Sequence, residues 1–185
     1  MKRKNFIKSI FGAGALLSIP FCNNSINIDE INNQIKSISG KCKGNMIGFK
    51  TKPIEKVKVG VIGIGNRGKT LIQMFDFLLK NKKVEIVALC DLDETNIDYA
   101  LNHLKDKQSL IPKTYFSGKN DWKNVAKLGD IDLLLIATPW NWHTKMAIFG
   151  MENGKHIASE VPIAYTFEDC IRLVETAEKT KRHCI

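Results

Sequence analysis

Four sets of residues in this chain have the types and spacing to do chemistry. Gly63-Ile64-Gly65-Asn66-Arg67-Gly68 sets three glycines at the spacing of a phosphate-cradling turn. Asp91 ends a later apolar run, 23 residues past Gly68. Thr138-Pro139-Trp140-Asn141-Trp142-His143 and Glu160-Val161-Pro162 each close a further apolar run. In the turn, Gly63 allows the sharp bend, Gly65 lets backbone approach a pyrophosphate, and Gly68 lets a helix pack on the preceding strand. The start of that helix offers unpaired N–H groups and a partial positive charge to phosphate oxygens. Asp91 would accept hydrogen bonds from ribose hydroxyls, and its charge would repel a 2′-phosphate, which favours NAD over NADP. A capping or turn role is the plainer alternative for Asp91, and Asp93 reads as a turn residue.

These groups work together only if the chain brings them to one edge. "VKVGVIGIG" is a short run rich in β-branched residues, the pattern of a strand buried on both faces. "KTLIQMFDFLL" follows with Leu71, Ile72, Met74, Phe75, Leu78 and Leu79 at helical spacing, predicting one helix over 69–79. "VEIVALCDLD" predicts a second strand, and "TNIDYALNHL" a second helix with Ile97, Ala100, Leu101 and Leu104 inward. A looser stretch, 112–129, holds "KTYF", a short strand candidate, and a short helix from Trp122 to Leu128. "IDLLLIATP" and "KHIASE" are further strands, separated by the helix "TKMAIFGMENG", which Gly154 closes. Thr166-Phe167-Glu168-Asp169 is a capping-box pattern opening a helix that carries Ile171, Val174 and Ala177 inward. Strands alternating with helices imply an α/β fold, an open doubly wound parallel sheet of Rossmann type.

In such a sheet, ligands lie outside the carboxyl ends of the strands. Thr138 to His143 therefore sit on the ligand rim. Trp140 and Trp142 are suited to wall a flat cofactor, with core packing as the alternative for either. His143 suits a hydrogen bond to the cofactor or the cap of the next helix, a positioning role ahead of proton transfer. Glu160 and Val161 end the next strand, near where the nicotinamide should lie.

The formal charge is +9, but residues 1–56 carry ten Lys/Arg against three Asp/Glu, so the remainder is only +2. Without an aromatic-interleaved basic stripe, a nucleic-acid partner is not expected. Residues 1–22, "MKRKNFIKSIFGAGALLSIPFC", have a basic start and a short apolar core, the form of an export signal. The apolar stretch falls short of the roughly 20 residues a membrane helix needs. "RKNFIKS" resembles a twin-arginine signal with Lys4 for the second arginine, so an exported, periplasmic location is expected and the route stays open. Cys22 allows lipidation, against which Phe21 and Pro20 weigh. Residues 23–53 read as a linker, and 54–185 as the folded domain. The five cysteines show no metal spacing, and Cys90 and Cys170 fall inside apolar patterns as small buried side chains.

"VGVIGIGNRG", "VALCDLD", "ATPWNWH", "MENGKHIASEVP" and "TFEDCIRLVETAEKT" resemble the N-terminal domain of the Gfo/Idh/MocA oxidoreductase superfamily, over residues 57 to 185. Within it they are most similar to glycoside hydrolase family 109. The resemblance implies NAD contacts at Asn66, Arg67, Asp91, Trp140, Asn141, Trp142, His143, Glu160 and Val161. It also implies a glycan partner with terminal α-linked N-acetylgalactosamine. The implied route is transient oxidation at the sugar's C3, elimination of the aglycone, addition of water and re-reduction. Dehydrogenases of the superfamily typically carry Glu-Lys-Pro where this chain has Glu160-Val161-Pro162, and valine cannot titrate. A sugar or inositol dehydrogenase, or a non-catalytic NAD-binding protein, are the alternatives. The chain stops at "KRHCI", where a further strand would begin, so a cofactor domain lacking at least its last strand or strands, inactive alone, is expected. The catalytic groups would lie in a following domain, and a homo-oligomer of the full-length protein is open.

Overall fold

The computed structural model describes residues 46–185 together with Asp29 and Asn33; the signal segment at 1–22 and most of the linker at 23–53 lie outside the described residues. The chain divides into two compact units, residues 1–35 and 36–185. The second contains β1 (Val57–Ile62), α1 (Asn66–Met74), α2 (Asp76–Lys80), β2 (Val84–Cys90), α3 (Glu94–Leu104) and β3 (Lys113–Tyr115). After these come α4 (Asp121–Lys127), β4 (Leu133–Ile136), a 3₁₀ turn (Trp140–Trp142), α5 (His143–Glu152), β5 (His156–Ser159) and α6 (Phe167–Thr180).

The strands form one parallel sheet in the order β3-β2-β1-β4-β5. Strand order runs outward from β1 in both directions, so the chain switches direction between β1 and β4. That switch opens a crevice at the carboxyl ends of these two strands. Alternate strand residues feed two cores. Val61 and Leu135 pack with Ile72, Leu79, Ile97 and Leu104 from α1, α2 and α3. Ile62, Leu134 and Ile136 pack with Trp122, Val125, Met146, Met151 and Leu173 from α4, α5 and α6. Both faces of the central strands β1, β2 and β4 are largely covered, which is why these strands read as nearly continuous apolar runs. Each fully buried Ile or Leu contributes about 1.5–3 kcal/mol.

The structure corrects the expected register in three places. The single helix over 69–79 is broken at Phe75, whose N–H reaches Ile72 O at 3.1 Å, an i to i−3 bond that tightens the turn. Ile72 and Leu79 stay buried, while Met74, expected inward, is 63% exposed. In α6, Leu173 and Ala177 pack on the core, whereas Val174 and Cys170, both expected inside, face solvent. Neighbouring stripes of an amphipathic helix differ by one residue step, and only packing against α5 selects between them. The strand at 155–160 begins at His156. Lys155 is instead buried, its Nζ donating to Leu128 O and to Ile131 O. Burial, reinforced by Arg182, holds its pKa below the ordinary lysine range against the pull of Asp130 and Asp132.

Residues 183–185 lie parallel beside β5. Ile157 N donates to His183 O and Ser159 N to Ile185 O, both at 2.9 Å. Thr166 Oγ1 caps α6 by accepting from Asp169 N at 3.1 Å. No helix among the described residues is long and apolar enough to cross a membrane. No cluster of metal-ligating side chains is found among them either.

Candidate functional site

The glycine turn between β1 and α1 needs each glycine for a different reason. Gly63 has φ +89°, and a Cβ there would fall 2.7 Å from the backbone of Ala137 and Thr138. Its N–H donates to Cys90 O at 2.8 Å, which ties the turn to β2. A Cβ on Gly68 would lie 2.1 Å from Gly63 O, so α1 can pack this close only without a side chain. At Gly65 the result is opposite, since a Cβ would meet nothing within 4 Å. Gly65 borders the crevice, whose volume is about 370 Å³. The protein leaves this position bare without needing the space for itself, as a site for a phosphate group requires. α1 starts there with no side-chain cap and no acidic residue in its first turn. Its first N–H groups are therefore left for an anionic partner.

Asp91, at the end of β2, faces this turn. Its Oδ2 accepts from Ile64 N at 2.5 Å, and its Oδ1 accepts from Asp93 N at 2.9 Å and Asn96 Nδ2 at 3.2 Å. The carboxylate thus binds the turn to the start of α3 and also lines the crevice. Asp93 caps α3 by accepting from Thr95, and those hydrogen bonds hold its carboxyl below the usual range. Cys90 lies on the crevice floor. Burial, with Asp121 and Asp91 adding repulsion, pushes its thiol up to about 12, so it is no nucleophile there.

The segment after β4 divides its roles between side chains. Trp142 is half-buried and lines the crevice with Thr138 and Pro139, while Lys145 Nζ sits 5.1 Å from its ring centroid. Trp140 is outside the crevice lining, 54% exposed, with its ring 4.6 Å from that of Tyr165. Asn141 is exposed. His143 is 1% exposed, with Nε2 2.7 Å from Thr138 O and Nδ1 3.0 Å from Pro162 O. Thr144 Oγ1 donates to Ile163 O at 2.7 Å. The imidazole and this hydroxyl pin the loop after β4 to the loop after β5, so His143 sets the rim rather than reaching into the crevice.

Arg67 and Glu160 come from opposite sides of that rim and pair, Nε to Oε1, at 2.7 Å. Val161, next to Glu160, is 83% exposed. The turn, Asp91, the 138–143 segment and the 160–161 segment thus converge on one end of the sheet. Sequence reading missed Asn96 and Trp122 as crevice residues. Asn96 was accessible to inference, since it opens the helix after Asp91 and must face back toward it. Trp122 was not, because its helical spacing equally describes a core residue; its edge packs on Phe149 at 5.2 Å.

A family model described as an oxidoreductase family with an NAD-binding Rossmann fold, GFO_IDH_MocA, matches residues 57–185. An alpha-N-acetylgalactosaminidase from Shewanella oneidensis is 35% identical over 184 residues, covering 99% of this chain and 38% of that protein. One from Bacteroides fragilis is 42% identical over 141 residues, covering 76% of this chain and 32% of the relative. The chain therefore spans about a third of the length of these curated relatives. Among solved structures, the WlbA dehydrogenase from Chromobacterium violaceum, in complex with NADH and UDP-GlcNAcA, superposes with a TM-score of 0.60 at 21% identity. It covers 74% of this chain and 36% of that one. Myo-inositol 2-dehydrogenase from Lactobacillus plantarum gives a TM-score of 0.55 at 24% identity, covering 68% and 34%. At these identities the two structures are alike in fold.

Proposed function

Because the chain belongs to the Gfo/Idh/MocA family of NAD-binding oxidoreductases, matched over residues 57–185, we propose that it is the cofactor-holding part of an NAD-dependent glycosidase. The substrate we assign is a glycan ending in α-linked N-acetylgalactosamine. The bare backbone at Gly65 and the uncapped start of α1 bind the pyrophosphate. Asp91 takes the adenosine ribose, and its charge disfavours a 2′-phosphate. Thr138, Pro139 and Trp142 wall the far end, where Glu160 and Val161 meet the nicotinamide half. His143 and Thr144 keep that wall in place through backbone carbonyls of both loops. When bound, NAD supplies a transient hydride exchange at the sugar's C3, which lets the aglycone leave by elimination before water adds.

Val161 carries the choice of glycosidase over dehydrogenase. The rim position that holds a titratable lysine in dehydrogenases of this superfamily is here an exposed aliphatic side chain. Valine cannot take the proton of an oxidised hydroxyl. The names of the 35% and 42% identical relatives support the same reading.

The first test is titration of the 185-residue chain with NAD and NADP. Saturable binding of NAD, with NADP roughly tenfold weaker, is expected, a factor that corresponds to about 1.4 kcal/mol. The second is a chimera in which residues 57–185 replace the matching part of the Bacteroides fragilis relative. Release of N-acetylgalactosamine from a chromogenic α-glycoside without net NADH formation is expected. Net NADH formation from a free sugar would overturn the glycosidase reading in favour of a dehydrogenase.

A further inference from the structure

We propose that Asn96 is a second recognition residue for the adenosine ribose, taking one hydroxyl while Asp91 takes the other; this rests on reading Asp91 as the ribose acceptor. An ionised carboxylate offers about four acceptor positions, two on each oxygen. In Asp91 one position on Oδ2 is filled by Ile64 N and one on Oδ1 by Asp93 N. Both donors are backbone groups, held by the glycine turn and by the start of α3, so neither can move aside for a ligand without disturbing an element. The third donor is Asn96 Nδ2, at 3.2 Å on Oδ1. One position on Oδ2 remains.

A ribose diol brings two O–H donors to this place. Asp91 can receive one of them directly. The other must either evict Asn96 from Oδ1 or find its own acceptor. Asn96 lines the same crevice as Asp91 and Gly65. Its amide oxygen accepts no hydrogen bond among the described residues, while its amide nitrogen is oriented by Asp91. The lower-cost arrangement keeps Nδ2 on Asp91 and lets the amide oxygen accept the second hydroxyl. Both hydroxyl donors of the diol then have an acceptor, and the bond from Asn96 to Asp91 is kept. Asn96 carries no charge, so discrimination against a 2′-phosphate stays with Asp91, and Asn96 contributes affinity for the hydroxyl form.

Binding of NAD, and of an NAD analogue lacking the adenosine 2′-hydroxyl and another lacking the 3′-hydroxyl, is to be measured by tryptophan fluorescence in the wild-type chain, Asn96→Ala and Asp91→Ala. Asn96→Ala should weaken NAD about fivefold, the effect of one neutral hydrogen bond. It should also abolish the penalty for removing one of the two hydroxyls while leaving the penalty for the other. If Asn96→Ala binds NAD as tightly as the wild type or more tightly, Asn96 only competes with ribose for the carboxylate and the proposal falls. If instead neither deoxy analogue loses affinity for the wild-type chain and Asp91→Ala is without effect, the ribose is not at Asp91 and the underlying reading fails first.

Discussion

An alanine at Gly68 would place its Cβ 2.1 Å from Gly63 O, whereas one at Gly65 would meet no atom within 4 Å. The two substitutions should therefore separate folding from binding. Gly68→Ala should destabilise the domain by about 3 kcal/mol or more, because the clash is with backbone and α1 must move. Gly65→Ala should leave the denaturation midpoint almost unchanged yet abolish measurable NAD binding, because the methyl group would occupy the place we propose for the phosphate. Thermal melts paired with NAD titrations decide this, and a Gly65→Ala protein that binds NAD normally would remove the phosphate from the turn. His143 is a different case. Its histidine type and its place on the rim invite a cofactor role, but both ring nitrogens meet backbone carbonyls of Thr138 and Pro162. His143→Ala removes the ring's hydrogen bonding to these carbonyls and its buried packing, at a cost of about 1–3 kcal/mol. Urea denaturation should show that loss, along with a weaker affinity for NAD as the rim loosens. The bend at Gly63 and the close packing at Gly68 were legible from spacing because a tight strand-to-helix turn constrains the backbone locally. The role of His143 was not, because Pro162 lies 19 residues away in sequence.

Among the elements, β5 is the one whose pairing depends on ionisation. His156 Nδ1 accepts from His183 N at 2.9 Å, so this bond exists only while that nitrogen is unprotonated. Burial first, then repulsion from Arg182 and His183, lowers the His156 pKa from its ordinary 6.5. A histidine whose folded pKa is lowered stabilises the fold above the unfolded value and loses that contribution as pH falls through the folded one. Hydrogen-exchange protection of His183 and Ile185 should therefore drop as pH falls from 6.5 downward, while protection in β1 stays level. Equal loss in both strands would mean global unfolding rather than release of this segment. β1, β2 and β4 were readable as strands because each is mostly apolar and buried, whereas β3 (Lys113–Tyr115) is largely exposed. The break at Phe75 and the outward turn of Met74 and Val174 were not, since a helix can rotate by one residue step and keep its period.

Over the whole molecule, burial sorts thiols of the same chemistry. Cys170 is exposed, Cys90 is buried with its thiol pushed up to about 12, and burial raises Cys184 to about 11. In a background with Cys22 and Cys42 replaced by serine, a thiol reagent should modify Cys170 rapidly in the native state. Cys184, partly buried, should react more slowly than Cys170, and Cys90 only at the rate of unfolding; fast labelling of Cys90 would mean that the crevice floor opens. Sequence alone determined the alternation of strand and helix, the place of the glycine turn and the acidic residue that faces it. Those features are written in local periodicity and in backbone demands that single residues must satisfy. Tertiary structure alone decided that Trp142 lines the crevice while Trp140 packs on Tyr165 outside it, and that Arg67 pairs with Glu160 across the rim. Such assignments depend on how separate elements cross at one end of the sheet, and side-chain type carries no record of that crossing.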